Sequence, residues 1–249
     1  MNEKKVLYIH DEDLHNTNSA EVIVPILVEK LNPHSVLDVG CGIGTWLKVF
    51  KDHGVNLLKG IDGDYLDRNL LKKYIEEKDF IEMDISRPFN LGVTFDLILS
   101  LEVAEHLPEI AAEDFVSSLI LHGNNILFSA AIPNQGGQNH LNEQWPTYWA
   151  EKFKIRGYEA YDIIRPHIWT DKRIDIFYRQ NILLFSKSLL PFPKAILLDV
   201  VLPEYWNICV EKERLTRKRK ERLQSGKAGI IFYMKLLFKS LSYFGRKIK

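Results

Sequence analysis

Apolar positions along this chain alternate between two periods. The short runs Ser35–Val39, Leu57–Ile61, Phe80–Met83, Phe95–Ser100 and Asn125–Ala130 are largely apolar, as strands buried on both faces are. Between them Thr45–Asp52, Leu66–Glu77 and Ala111–Leu121 space their apolar residues three and four apart, which predicts helices with one covered face. Val22, Ile23, Ile26, Leu27 and Leu31 follow helical spacing ahead of the first strand, and Pro33 breaks that helix. Tyr158–Ile164 and Asn181–Ser186 add two further strands. Alternation of this kind predicts an α/β chain: a doubly wound, mostly parallel sheet of seven strands, with helices on both faces and a helical C-terminal tail. The expected organisation is an N-terminal helical cap at 1–34, a central domain at 35–190 and a C-terminal extension at 191–249.

Charge changes the picture at one end only. Lys and Arg balance Asp and Glu at 33 each, yet Glu211–Lys249 holds 13 basic residues against 3 acidic ones. The remainder is acidic, so a polyanion or an anionic membrane surface is a partner for the tail alone. After Gly226, one helical face collects Ile230, Tyr233, Met234, Leu237, Leu241, Phe244 and Ile248, while Lys235, Lys239, Ser242 and Arg246 occupy the other. Residues 227–249 thus suit the interface of an anionic membrane, or packing against the domain or a second subunit. Nucleic acid is disfavoured, because an RNA-binding tail needs no apolar face and an acidic domain repels a long polyanion. Cys41 and Cys209 form neither a metal-ligand pair nor a disulfide framework, as expected in a reducing compartment. The opening MNEKKVLYIHDEDLHN lacks the apolar core of a secretory signal, and no uncharged apolar run is long enough to span a bilayer. The expected location is cytoplasmic, peripheral at the inner membrane face if the tail engages lipid.

Candidate chemistry begins at VLDVGCGIG, Val36–Gly44, where a strand runs into Gly40, Gly42 and Gly44 and a helix follows. Glycines there let the backbone turn sharply and approach a nucleotide-like ligand. Taken alone, such a turn serves a dinucleotide or merely a tight loop. Asp62 ends the second strand 22 positions beyond Gly40, where a carboxylate accepts ribose hydroxyls. Asp64 is placed to share or replace that role, and Asp84 ends the third strand in IEMDIS. With FDLILSLEVAEHLP at Phe95–Pro108, these pieces resemble the class I S-adenosylmethionine-dependent methyltransferases, a Rossmann-like superfamily. The resemblance implies a methionyl end near Asp38 and Gly40, with Cys41, Gly42 and Gly44 in the same turn. It implies the ribose on Asp62 beside Gly63, the adenine beside Asp84 and Ile85, and Ser100 and Leu101 below the cofactor. GCGIGT lacks the third glycine of GxGxxG, which argues against a hydride-transferring dehydrogenase.

LEVAEHLP places Glu102, Glu105 and His106 three and four apart on one short turn. Two carboxylates and an imidazole suit a divalent cation, with His140 as a fourth ligand. This turn is similar to the metal-binding turn of small-RNA 2′-O-methyltransferases and of ubiquinone-pathway O-methyltransferases. In the former, a later histidine, acidic residue and tryptophan complete the site, a place held here by His140, Glu143 and Trp145. ExxEH turns also occur in metal-free relatives, and without a metal His140 or His106 is the candidate general base. The stretch AIPNQGGQNHLNEQWPTYW, Ala131–Trp149, mixes amides, carboxylates and rings, a lining suited to a polyhydroxylated ligand. Proton transfer is assigned to His140, His106 and Glu143, and acceptor binding to Glu102, Glu105, Asn139, Asn142 and Trp145. Trp145, Tyr148 and Trp149 offer flat faces for a sugar ring; alternatively, with Pro146 placed to start a helix, Trp149 is core together with Phe153.

The same stretch, with Pro166, His167, Ile168 and Trp169, resembles methyltransferases of bacterial surface-polysaccharide and other glycan modification. That implies O-methylation of a glycan, a sugar-linked group or a glycan precursor, as in capsule biosynthesis. The alternatives are a metal-dependent RNA 2′-O- or quinone-pathway O-methyltransferase, and a non-catalytic module that binds the cofactor and recruits a complex through its tail.

Overall fold

The computed structural model describes residues 15–247, so residues 1–14 of the expected cap and Ile248 of the expected tail face lie outside the described residues. Helix α1 (Asn18–Leu31) buries Ile23, Val24 and Leu27. It stops at Leu31, two residues before Pro33, because Asn32 turns left-handed at φ 45° and returns its N–H to the Val28 carbonyl. There follow β1 (Ser35–Val39), α2 (Thr45–Asp52), β2 (Leu57–Asp62), α3 (Arg68–Tyr74), β3 (Phe80–Glu82), β4 (Leu97–Leu101), α4 (Ala112–Ile120), β5 (Asn125–Ser129), α5 (Pro146–Lys154), β6 (Glu159–Tyr161), α6 (Arg165–Ile168), α7 (Ile176–Asn181) and β7 (Leu183–Ser186). The helix expected at 66–77 is shorter at both ends. Asp67 caps it by accepting the Asn69 N–H, and Ile75 is already extended. Asn181, expected to open a strand, instead closes α7.

The seven strands lie in the order β3-β2-β1-β4-β5-β7-β6. All neighbours pair parallel except β7, which runs antiparallel to both β5 and β6. Two cores flank this sheet, and successive strand residues alternate between them as the pleat requires. Leu97, Leu99, Leu127 and Leu184 join α1 and α2 on one side. Ile98, Ile126, Phe128 and Phe185 join α4 and α5 on the other. Pro146 stands at the start of α5 and leaves Trp149 and Phe153 inside the second core, Phe153 stacked on Phe185 at 4.2 Å between centroids. Trp149 is therefore core, not a sugar platform. The strand order reverses between β1 and β4, so the carboxyl ends of those strands open onto a crevice.

His122, just past α4, is fully buried and neutral. Its Nδ1 lies 2.7 Å from the Ser118 carbonyl and its Nε2 accepts the Leu91 N–H at 2.9 Å. Protonation would break the second bond, and burial holds the pKa below its ordinary value. The unfolded chain therefore binds the extra proton first, and stability contributed by His122 falls as pH drops through about 6.5. Thermal unfolding of His122→Gln is expected to begin from a lower Tm at neutral pH and to vary less with acidification than the parent. Parallel curves for the two proteins would contradict this.

The chain separates into two compact units, Met1–Val200 and Val201–Lys249. The second comprises α8 (Pro203–Gln224) and α9 (Ile230–Lys247). The Tyr233 hydroxyl joins the two helices through the Leu223 carbonyl at 2.6 Å. Among the described residues no helix is long and apolar enough to cross a membrane.

Candidate functional site

At the end of β1 the chain reverses through Gly40 and Gly42, both left-handed at φ 83° and 53°. A Cβ at Gly40 would overlap the Val103 side chain. The Gly40 and Cys41 N–H groups both donate to the Ile61 carbonyl, at 2.8 and 3.1 Å, which ties the turn to the end of β2. Asp62 completes the tie: Oδ2 accepts the Gly42 N–H at 2.8 Å, and Oδ1 accepts the Gly63 N–H and the Tyr65 hydroxyl. Asp38, one strand over, is buried and its Oδ2 has no hydrogen-bond partner. Burial, then the nearby Asp62 charge, pushes its pKa up to about 8. A buried carboxyl lacking a donor is costly and is satisfied by a cationic donor such as an ammonium group. The Cys41 thiol is pushed well above its ordinary value by burial and by Asp38 and Asp62, so it is an unreactive part of the wall.

The turn borders a cavity of about 1230 Å³, beyond the roughly 300–1,000 Å³ typical of one small ligand. Asp38, Gly40, Cys41, Gly42, Asp62, Gly63, Asp84, Ile85 and Leu101 line it, as do Glu102, Glu105, His106, Asn139 and His140. Gly44, Ser100, Asn142, Glu143 and Trp145 do not. Gly44 precedes α2 against Ile75, and Ser100 is buried inside β4. Asp84 is exposed and spends Oδ1 on the Ser86 N–H and hydroxyl, at 3.1 and 2.6 Å, so it shapes its own turn.

The same cavity is lined by Glu105 and His106 of the 3₁₀ turn Ala104–His106. Glu102 lies outside this turn in a left-handed conformation at φ 55°, so it does not share a helical turn with Glu105 and His106, although its charge still acts on Glu105. Its carboxylate instead accepts from Gln135 Nε2 at 2.7 Å and Asn181 Nδ2 at 3.2 Å. Burial raises the Glu102 pKa against these bonds. The group that does converge is Glu105, His106 and His140, with ligand atoms within 4.8 Å of one another. The Leu141 and Asn142 N–H groups, donating to the Glu105 carbonyl at 2.8 and 3.0 Å, draw this loop over the turn.

His140 Nδ1 lies 2.9 Å from Glu143 Oε1, and Glu143 also accepts the Asn134 and Gly136 N–H groups at 2.7 and 2.6 Å. Burial alone would raise the Glu143 pKa, but the bonds from His140, Gly136 and Asn134 outweigh it and hold the carboxyl below its ordinary value. The His140 ring rests on Gly137, where a Cβ would overlap it, and meets the His106 ring edge-on at 4.9 Å. Burial, then His140, depresses His106 to about 4, leaving it neutral near pH 7. Glu105 is raised well above its ordinary value by burial and then by Glu102.

Two walls had no counterpart in the motif reading. One is His15, Asn16, Asn18 and Ser19 at the start of α1; the other runs from Lys172 to Tyr178 before and within α7. The Asp175 N–H donates to the Ser19 hydroxyl at 3.0 Å across 156 positions of sequence. Neither wall carries a motif, and the only local signal was the Asp175 helix cap.

A family described as a methyltransferase domain matches residues 13–162. Among solved structures, magnesium protoporphyrin IX methyltransferase from Synechocystis PCC 6803 with bound SAH is 20% identical, with a TM-score of 0.51 over 69% of this chain and 83% of that one. Streptomyces venezuelae DesVI is 13% identical, with a TM-score of 0.50 over 69% of this chain and 92% of that one. At such identities the likeness is one of fold. No curated protein matches the sequence.

Proposed function

Because the chain belongs to the methyltransferase-domain family, we propose that it transfers a methyl group from S-adenosylmethionine to a hydroxyl of a glycan, a sugar-linked group or a glycan precursor. The observation that carries the reading is one cavity lined both by a donor-starved Asp38 and by His140, whose Nδ1 is engaged by Glu143 from outside the lining. Bound S-adenosylmethionine supplies an electrophilic methyl on a sulfonium. Asp38 takes the cofactor's ammonium group, the Gly40–Gly42 turn lets its backbone approach closely, and Asp62 receives the ribose hydroxyls once Tyr65 yields its place. Asp84 and Ile85 border the adenine. Glu143 accepts from Nδ1 and so leaves His140 Nε2 to take the acceptor's hydroxyl proton, while the methyl carbon would exchange its bond to sulfur for one to the acceptor oxygen and S-adenosylhomocysteine would leave. Donor and acceptor held in line in one cavity supply most of the acceleration.

A hydroxyl-rich acceptor is supported by the amides of Asn16, Asn18, Gln135 and Asn139 and the ring of Phe177 on the cavity wall. Trp145, half exposed and outside the cavity, is left out of this role. A second reading rests on the convergence of Glu105, His106 and His140: a divalent cation held there lowers the acceptor's pKa in place of a free base. We place the reaction in the cytoplasm, on the two unpaired thiols.

Labelled methyl transfer from S-adenosylmethionine into a fractionated extract, with and without chelator, tests both readings. Label is expected in lipid-linked glycan, nucleotide-sugar or polysaccharide fractions. Label confined to RNA or quinones would overturn the acceptor, failure to label any fraction would favour a cofactor-binding module, and chelator sensitivity would select the cation.

A further inference from the structure

Helix α9 is apolar over most of its circumference yet presents that surface to solvent. At about 100° per residue, Ile230, Ile231, Met234, Leu237, Phe238 and Leu241 share one broad arc. Ile230 is 77% exposed, Phe238 64%, and Leu237 and Leu241 59% each. Lys235 and Lys239 form a narrow stripe on the opposite side, flanked by Ser242 and by the rings of Phe232 and Tyr243. Between residues 227 and 249 there are six basic residues and no acidic one.

We propose that α9 lies in the plane of an anionic membrane, its apolar arc in the acyl boundary and its lysines among the headgroups. The two features point the same way. A wide apolar arc with a cationic back and aromatic flanks fits the boundary between acyl chains and headgroups, and the helix is too short of apolar residues to span. The uniform sign of charge selects anionic lipid over neutral lipid. A second copy packed on the apolar arc would leave the lysine stripe facing outward with no carboxylate to meet it, whereas an anionic headgroup layer meets both the arc and the stripe. This inference is independent of the methyl acceptor.

Flotation of the full-length chain with phosphatidylcholine vesicles, with or without phosphatidylglycerol, tests it. Binding is expected on the anionic vesicles and at least ~10-fold weaker on the neutral ones. Lys235→Ala with Lys239→Ala is expected to weaken anionic binding by roughly 10-fold, and Leu237→Glu with Leu241→Glu to abolish it, each with unchanged circular dichroism. Equal binding to both vesicles, or retention by the Leu→Glu variant, overturns the proposal. So does a chain that ignores vesicles and sediments as a dimer until Leu237 is replaced by Glu.

Discussion

His140→Ala is expected to lower kcat by roughly 10²–10⁴-fold while leaving the affinity for S-adenosylhomocysteine unchanged by calorimetry. The reason lies in the roles assigned: His140 acts on the acceptor's proton, whereas the cofactor is held by Asp38 and the glycine turn. Glu143 acts through His140 and does not line the cavity, so it is a positioning residue. Glu143→Ala is expected to cost less, about 10–100-fold. Glu143→Gln recovers part of that, because an amide oxygen still accepts from Nδ1. Residual activity of His140→Ala should climb with pH, as hydroxide replaces the lost base, whereas a merely structural defect would leave the pH profile unchanged in shape. Turnover that survives His140→Ala intact would sink the assignment. Loss of activity on chelation, reversed by added metal, would instead give His140 its role beside Glu105 and His106.

The second large effect pairs a gain with a loss. Asp38→Asn is expected to stabilise the ligand-free protein at pH 8 while weakening cofactor binding by roughly 10–100-fold, the scale of one charge-assisted hydrogen bond. In the folded state the Asp38 proton is held up to about pH 8, whereas in the unfolded chain it is lost near pH 4. Between those values the unfolded state binds fewer protons, so stability falls as pH rises. Above about pH 7 His122 is largely neutral in both states, and from there to pH 8 the Asp38 contribution falls by about 1 kcal/mol. Thermal unfolding across that window should show a steeper decline in the parent than in Asp38→Asn. Bound S-adenosylhomocysteine should flatten the parent's decline, because its ammonium group supplies the missing donor. A variant that is less stable at pH 8 and binds the cofactor as before would reject the role given to Asp38.

How much of this was legible in the sequence depended on how local the cause was. The strands β1 and β2 and the helix α2 were readable almost to the residue, because apolar period and secondary structure are both properties of consecutive positions. Asp62 was readable for the same reason, since it stands at a strand end next to a turn that only glycines make easily. Glu102 was read on one helical turn with Glu105 and His106, but its own left-handed backbone interrupts that turn, which spacing alone does not reveal.

What the sequence by itself determined is the alternation of strands and helices, the glycine turn and the identity of the side chains that stand at strand ends. These follow from steric limits and hydrophobic periodicity within a few residues of one another. Only the tertiary structure decided that Trp149 fills the core and that Glu143 stands behind His140. It likewise seats His140 over the Ala104–His106 turn, and closes the cavity with residues 15–19 and 172–178. Those placements depend on the order in which strands pair and on hydrogen bonds spanning up to 156 positions. Such contacts come from the packing of whole elements, which no local spacing encodes.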